Sequence, residues 1–76
     1  MATIVATAEI VFASPLQESD PLTPDTVEAA VTATELRLGL DGCIAQLAGE
    51  YARHPDTAAA RMRFSLRAAA LICNCH

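Results

Sequence analysis

TIVATAEIVFA, residues 3–13, is the stretch on which the fold turns. Ile4, Ala6, Ala8, Ile10 and Phe12 alternate with Thr3, Val5, Thr7, Glu9 and Val11, which is the period of a strand. Ile4, Val5, Ile10 and Val11 are β-branched and favour a strand over a helix. This reading raises a difficulty of its own. Nothing later in the chain reads as a second strand, and a lone strand leaves its ladder groups unpaired. The expectation is therefore a strand over 3–13 that pairs with its own copy in a dimer.

Working outward, SPLQESDPLT at 14–23 reads as a linker, punctuated by Pro15 and Pro21 and kept wet by Glu18, Ser19 and Asp20. Thr23 before Pro24 is the pattern of a helix N-cap with proline at the first helical position, and Asp25 faces the helix dipole. A helical pattern runs from there to Arg53, with one stripe of Val27, Val31, Thr34 and Leu38. A second, offset stripe holds Leu36, Leu40, Ile44, Leu47 and Tyr51. LGLDG at 38–42 marks the junction. Gly39 and Gly42 weaken a helix and Asp41 can cap a new one, so the spacing predicts two helices, about 24–38 and 42–53.

Pro55 ends the second helix, because residues before proline avoid the helical region. Asp56 can cap a last helix over 57–72, with Ala58, Met62, Leu66 and Ala69 in its buried stripe. Pro55-Asp56-Thr57 echoes Pro24-Asp25-Thr26, and the same start chemistry used twice explains it better than a duplicated unit. CNCH, residues 73–76, is a short tail. The fold expected is mainly α: one small three-helix, bundle-like domain over 1–76 with a short N-terminal β-strand, completed by oligomerisation.

Composition bounds the function. The chain has 76 residues, 53% of them hydrophobic and 4% aromatic, with nine acidic and five basic side chains for a net charge of -4. A Lys/Arg-rich nucleic-acid tail and a disordered acidic segment are both excluded. No apolar run approaches 18 residues, so no membrane span is expected. The first thirteen residues lack a positive n-region and include Glu9, which argues against a signal peptide and for a cytoplasmic location.

A chain this short buries roughly 60% of its extended surface on folding, a marginal fraction that small domains supplement with disulfides, a metal or a partner chain. Three cysteines cannot close a disulfide framework. A homo-oligomer is therefore the first expectation. The anchors of its interface are Ile4, Ile10 and Phe12 in the first segment, then Val27, Val31, Leu36, Leu40, Ile44 and Leu47, and finally Met62, Phe64 and Leu66.

Metal is the second expectation. Cys43, Cys73, Cys75 and His76 make up a tetrahedral zinc or copper set on paper, although Cys73 and Cys75 are closer together than the usual two-to-four-residue spacing. The same tail could serve thiol redox chemistry. Arg61, Arg63 and Arg67 form the one cluster of like charge, a basic patch against an acidic front end with six acids and no base in residues 1–36. Opposite poles of this kind can steer assembly. With no lysine and a net negative charge, nucleic-acid binding is disfavoured.

No catalytic residue stands out. A Cys–His dyad through His54 or His76 has nothing to orient it, and no phosphate-cradling glycine pattern is present. An enzyme of this length would have to build its pocket between subunits. The function expected is a small non-catalytic interaction, assembly or regulatory protein acting as a homo-oligomer or on a partner protein.

Overall fold

Thr3 settles the first segment. Its side-chain oxygen accepts the Ala6 amide at 3.1 Å and its carbonyl takes the Thr7 amide at 3.0 Å, the two contacts that start a helix. The computed structural model, which describes residues 3–73, places α1 at Ile4–Ala13, α2 at Pro24–Arg53 and α3 at Pro55–Ala70.

The N-terminal β-strand expected over 3–13 is thus corrected to a helix; among the described residues there is no strand. The physical reason is the difficulty noted above. With no partner strand in the chain, an extended segment would leave its backbone groups unpaired, whereas a helix satisfies them internally. β-branched preference amounts to tenths of a kcal/mol per residue and yields to packing. Thr7, Ala8, Ile10, Val11 and Phe12 are all buried, so α1 is wrapped on most of its circumference and has no need of a clean amphipathic stripe.

α2 begins as its sequence announces. Thr23 and Thr26 exchange backbone-to-side-chain hydrogen bonds at 3.2 and 3.3 Å in a capping box, ahead of Pro24 and Asp25. The break expected at 38–42 falls on Gly39, whose φ of 70° and ψ of 167° belong to a region open essentially to glycine alone. α2 is therefore two helical halves, 24–38 and 40–53, with helix resuming directly after Gly39 and not at Gly42. α3 starts two residues earlier than expected. Its N-cap is His54 with Pro55 in the first turn, so Asp56 lies inside the helix and does not cap it.

All three helices touch one another. Arg61 reaches the end of α1 and Cys73 reaches Thr7 near its beginning, so α1 and α3 run antiparallel. The core gathers Val11, Leu16, Val27, Phe64 and Ala68, flanked by Leu22, Ala30, Val31 and Ile72. Leu16 and Leu22 come from the linker, which is less of a wet connector than its composition suggested. Ser14 Oγ donates to the Val11 carbonyl at 2.6 Å and accepts the Leu16 amide at 3.2 Å, turning the chain so that Leu16 points inward. Asp20 Oδ2 accepts the Gln17 amide at 2.8 Å and closes the next turn. The radius of gyration, 11.4 Å, equals the ~11.4 Å expected of a folded chain of this length.

Candidate functional site

Arg61 is the side chain around which the molecule is most organised. Its Nη2 donates to the carbonyls of Val11 at 3.1 Å and Ser14 at 2.9 Å, and its Nε to that of Phe12 at 3.3 Å. These carbonyls lie at the negative end of the α1 dipole, where a cation is favoured, and that of Val11 also accepts the Ser14 amide and hydroxyl. The guanidinium also lies 5.0 Å from the centroid of the Phe64 ring. Burial draws its pKa below the ordinary arginine value, with nearby Glu18 pulling the other way. Ser65 Oγ donates to the Arg61 carbonyl at 2.9 Å one turn on.

Beside Arg61 runs an open groove of about 680 Å³ between the α1–α2 linker, the second half of α2 and the first turns of α3. Ser14, Gln17, Gln46, Glu50, Arg53 and Thr57 supply its polar lining and Phe12, Leu16 and Ala58 part of its apolar floor. Phe12 stacks on Tyr51 with ring centroids 6.1 Å apart and planes inclined by 17°. Arg53 and Glu50 pair at 3.0 Å, both well exposed, so that pair adds little to stability.

The arginines expected to form one patch separate. Arg61 turns inward, while Arg63 and Arg67, four residues apart, lie exposed on the outer face of α3. Four of the expected interface anchors, Ile10, Phe12, Val27 and Phe64, are buried within the chain. Val31, Leu47 and Met62 are half-buried. Ile4, Leu36, Leu40 and Leu66 remain exposed, Leu36 at 84%. Ile44, expected as a further anchor, is also exposed, and so are Val5, Tyr51 and Leu71, which were not expected as anchors. A helical reading of 3–13 would have found Val5.

Of the four candidate metal ligands, two, Cys43 and Cys73, lie among the described residues. Cys43 is fully buried on α2, and burial, then the Glu35 charge, pushes its thiol pKa up and away from thiolate. Cys73 is half-buried, with its Sγ donating to Thr7 Oγ1 at 3.1 Å. Cys75 and His76 lie outside the described residues. Among the described residues, no group of three His, Cys, Asp or Glu side chains could hold a metal ion. No helix is long and apolar enough to cross a membrane among them.

Among the described residues, one buried side-chain polar atom lacks a partner. Thr34 is buried on α2, and its Oγ1 has no hydrogen-bond partner. Compared with family models, curated proteins and solved structures, the chain matches none.

Proposed function

We propose that this chain is a small non-catalytic interaction protein that works by assembling with further copies of itself. The observation that carries the reading is Leu36. It projects from the first half of α2 at 84% exposure, on a domain whose other large apolar side chains are mostly covered or partly covered. A single exposed leucine is ordinary, but nearly complete exposure on a rigid helix is what an anchor for a facing surface has before it docks. The shortage of large core side chains supports the same reading, since a 76-residue domain with a five-residue central cluster gains stability from assembly.

Native mass spectrometry and light scattering across a concentration series test it. A defined oligomer that dissociates on dilution is the expected result, and Leu36→Asp should shift that equilibrium towards monomer without lowering the monomer's own melting temperature. A wild-type chain that stays monomeric throughout the series overturns the proposal. A stoichiometric zinc or copper ion on that monomer would move attention to Cys73, Cys75 and His76.

A further inference from the structure

Two outward helix faces carry opposite charge. On the first half of α2 the core side is made by Val27 and Thr34, both buried. About 100° round the helix from them lie Glu28 and Glu35, seven residues apart and exposed, and Leu36 points directly away from the core about 100° further on. At 1.5 Å per residue the two carboxylates are about 10 Å apart along the helix axis, on one stripe. Arg37 falls about 200° further round the helix than Glu35, on the other flank.

On α3 the core side is Phe64, Ser65, Ala68 and Ala69, and the outward side shows Arg63, Leu66 and Arg67. The two guanidiniums start about 6 Å apart along the axis. Long arginine side chains reach across the remaining difference in span. Asp56 is the one acid on α3 and sits in its first turn, seven residues before Arg63. Among the described residues the one ion pair joins Arg53 and Glu50, so neither face is neutralised within its own chain.

We propose that the α3 face of one copy, Arg63, Leu66 and Arg67, docks on the α2 face of a second copy, Glu28, Glu35 and Leu36. The inference rests on the self-assembly reading and adds the surfaces that carry it. A second copy is the fitting occupant because this chain supplies both halves of the match: each face sets an exposed leucine beside a stripe of two like charges, and the two stripes are opposite in sign. The net charge of -4 makes an unoriented encounter between copies repulsive, so the charge pattern also selects the docked orientation. Unlike patches meet in this contact, and every copy carries one of each.

Charge reversal tests it by complementation. One variant combines Glu28→Arg with Glu35→Arg; the other combines Arg63→Glu with Arg67→Glu. All four positions are exposed, so both variants should keep the helical circular dichroism of the wild type. Each alone should self-associate roughly tenfold or more weakly, because like charges then face each other. Mixed one to one, the two should associate with near wild-type strength, since each variant's altered face meets the other's.

Wild-type self-association of either variant alone, or a mixture that stays monomeric, overturns the pairing while leaving assembly itself intact. Loss in the α3 variant with none in the α2 variant also overturns it, and sends the basic face to another surface. A monomeric wild type fails the broader reading first. Glu28→Gln with Glu35→Gln, a milder pair, should fall between wild type and reversal; an effect as large as reversal would point to damage unrelated to charge.

Discussion

At the C-terminal end of α1, the carbonyls of Val11, Phe12 and Ser14 are taken by Arg61, 47 to 50 positions further along the chain. At the N-terminal end of α2, the loose amide of Thr26 is taken by Thr23, three positions back. Both ends have the same need, unpaired backbone groups and an uncompensated half-charge. One is met by tertiary structure and the other by the local sequence. The first ties the stability of α1 to the whole fold, whereas the second helps α2 begin whatever the rest of the chain does.

The largest effect should come from breaking the distant cap. Arg61→Ala removes three charge-assisted hydrogen bonds and takes their donor from the Phe12 and Ser14 carbonyls at a half-buried helix end, while the Val11 carbonyl keeps the Ser14 amide and hydroxyl. Discounted for partial solvent access, the loss should be about 2–3 kcal/mol in denaturant unfolding. In a domain of this size that is a large share of the total. Arg61→Lys should recover less than half of it, because one ammonium cannot reproduce the planar fork across three acceptors. An alanine variant as stable as wild type would mean that water serves those carbonyls equally well.

The local cap should matter less. Thr23→Ala should lower stability by about 1 kcal/mol, and its effect should add to that of Arg61→Ala, since the two share no partner. A cost as large as that of Arg61→Ala would show that the start of α2 is coupled to the core and is not an independent local element.

The smallest effect sharpens the contrast from the other side. α3 begins with the same Pro-Asp-Thr sequence as α2, yet its N-cap is His54, which makes no side-chain hydrogen bond to the helix. Its backbone, at φ -141° and ψ 73°, departs from the extended geometry of Thr23. His54→Ser should therefore stabilise by about 0.5 kcal/mol, less than a well-placed cap provides. No gain would show that the joint between α2 and α3 holds the residue outside capping geometry.

The same contrast explains what could be read from the sequence. Thr23-Pro24-Asp25, the glycine break near 39 and Pro55 are local signals, and each marks a boundary of the observed helices to within two or three residues. The first segment misled because its alternation of apolar residues is real but incidental. α1 is buried on most sides, and a helix so enclosed needs no 3.6-residue stripe. Leu16 was hidden between turn residues, and its inward aim depends on the hydrogen bond its amide donates to Ser14 Oγ. The two-residue spacing of Arg61 and Arg63 parts them on a helix, but it gives no sign of which side turns inward. Only the path of α1 decides which of the three turns inward, and a single sequence does not display that path. The expected metal set rested on residue type and the close Cys73–Cys75 spacing; Cys43 is fully buried, Cys73 half-buried, and Cys75 and His76 lie outside the described residues.

The distance in sequence between Arg61 and the carbonyls it holds has a consequence in time. At a synthesis rate of about 5–20 residues per second, the arginine follows the end of α1 by roughly 2–10 s. For that interval Ile10, Val11 and Phe12, all buried in the finished domain, have no α3 to cover them. α1, the most apolar of the three helices, is thus secured only once α3 has been made. Truncation before Arg61 should then release α1 along with α3 rather than leave a smaller folded core.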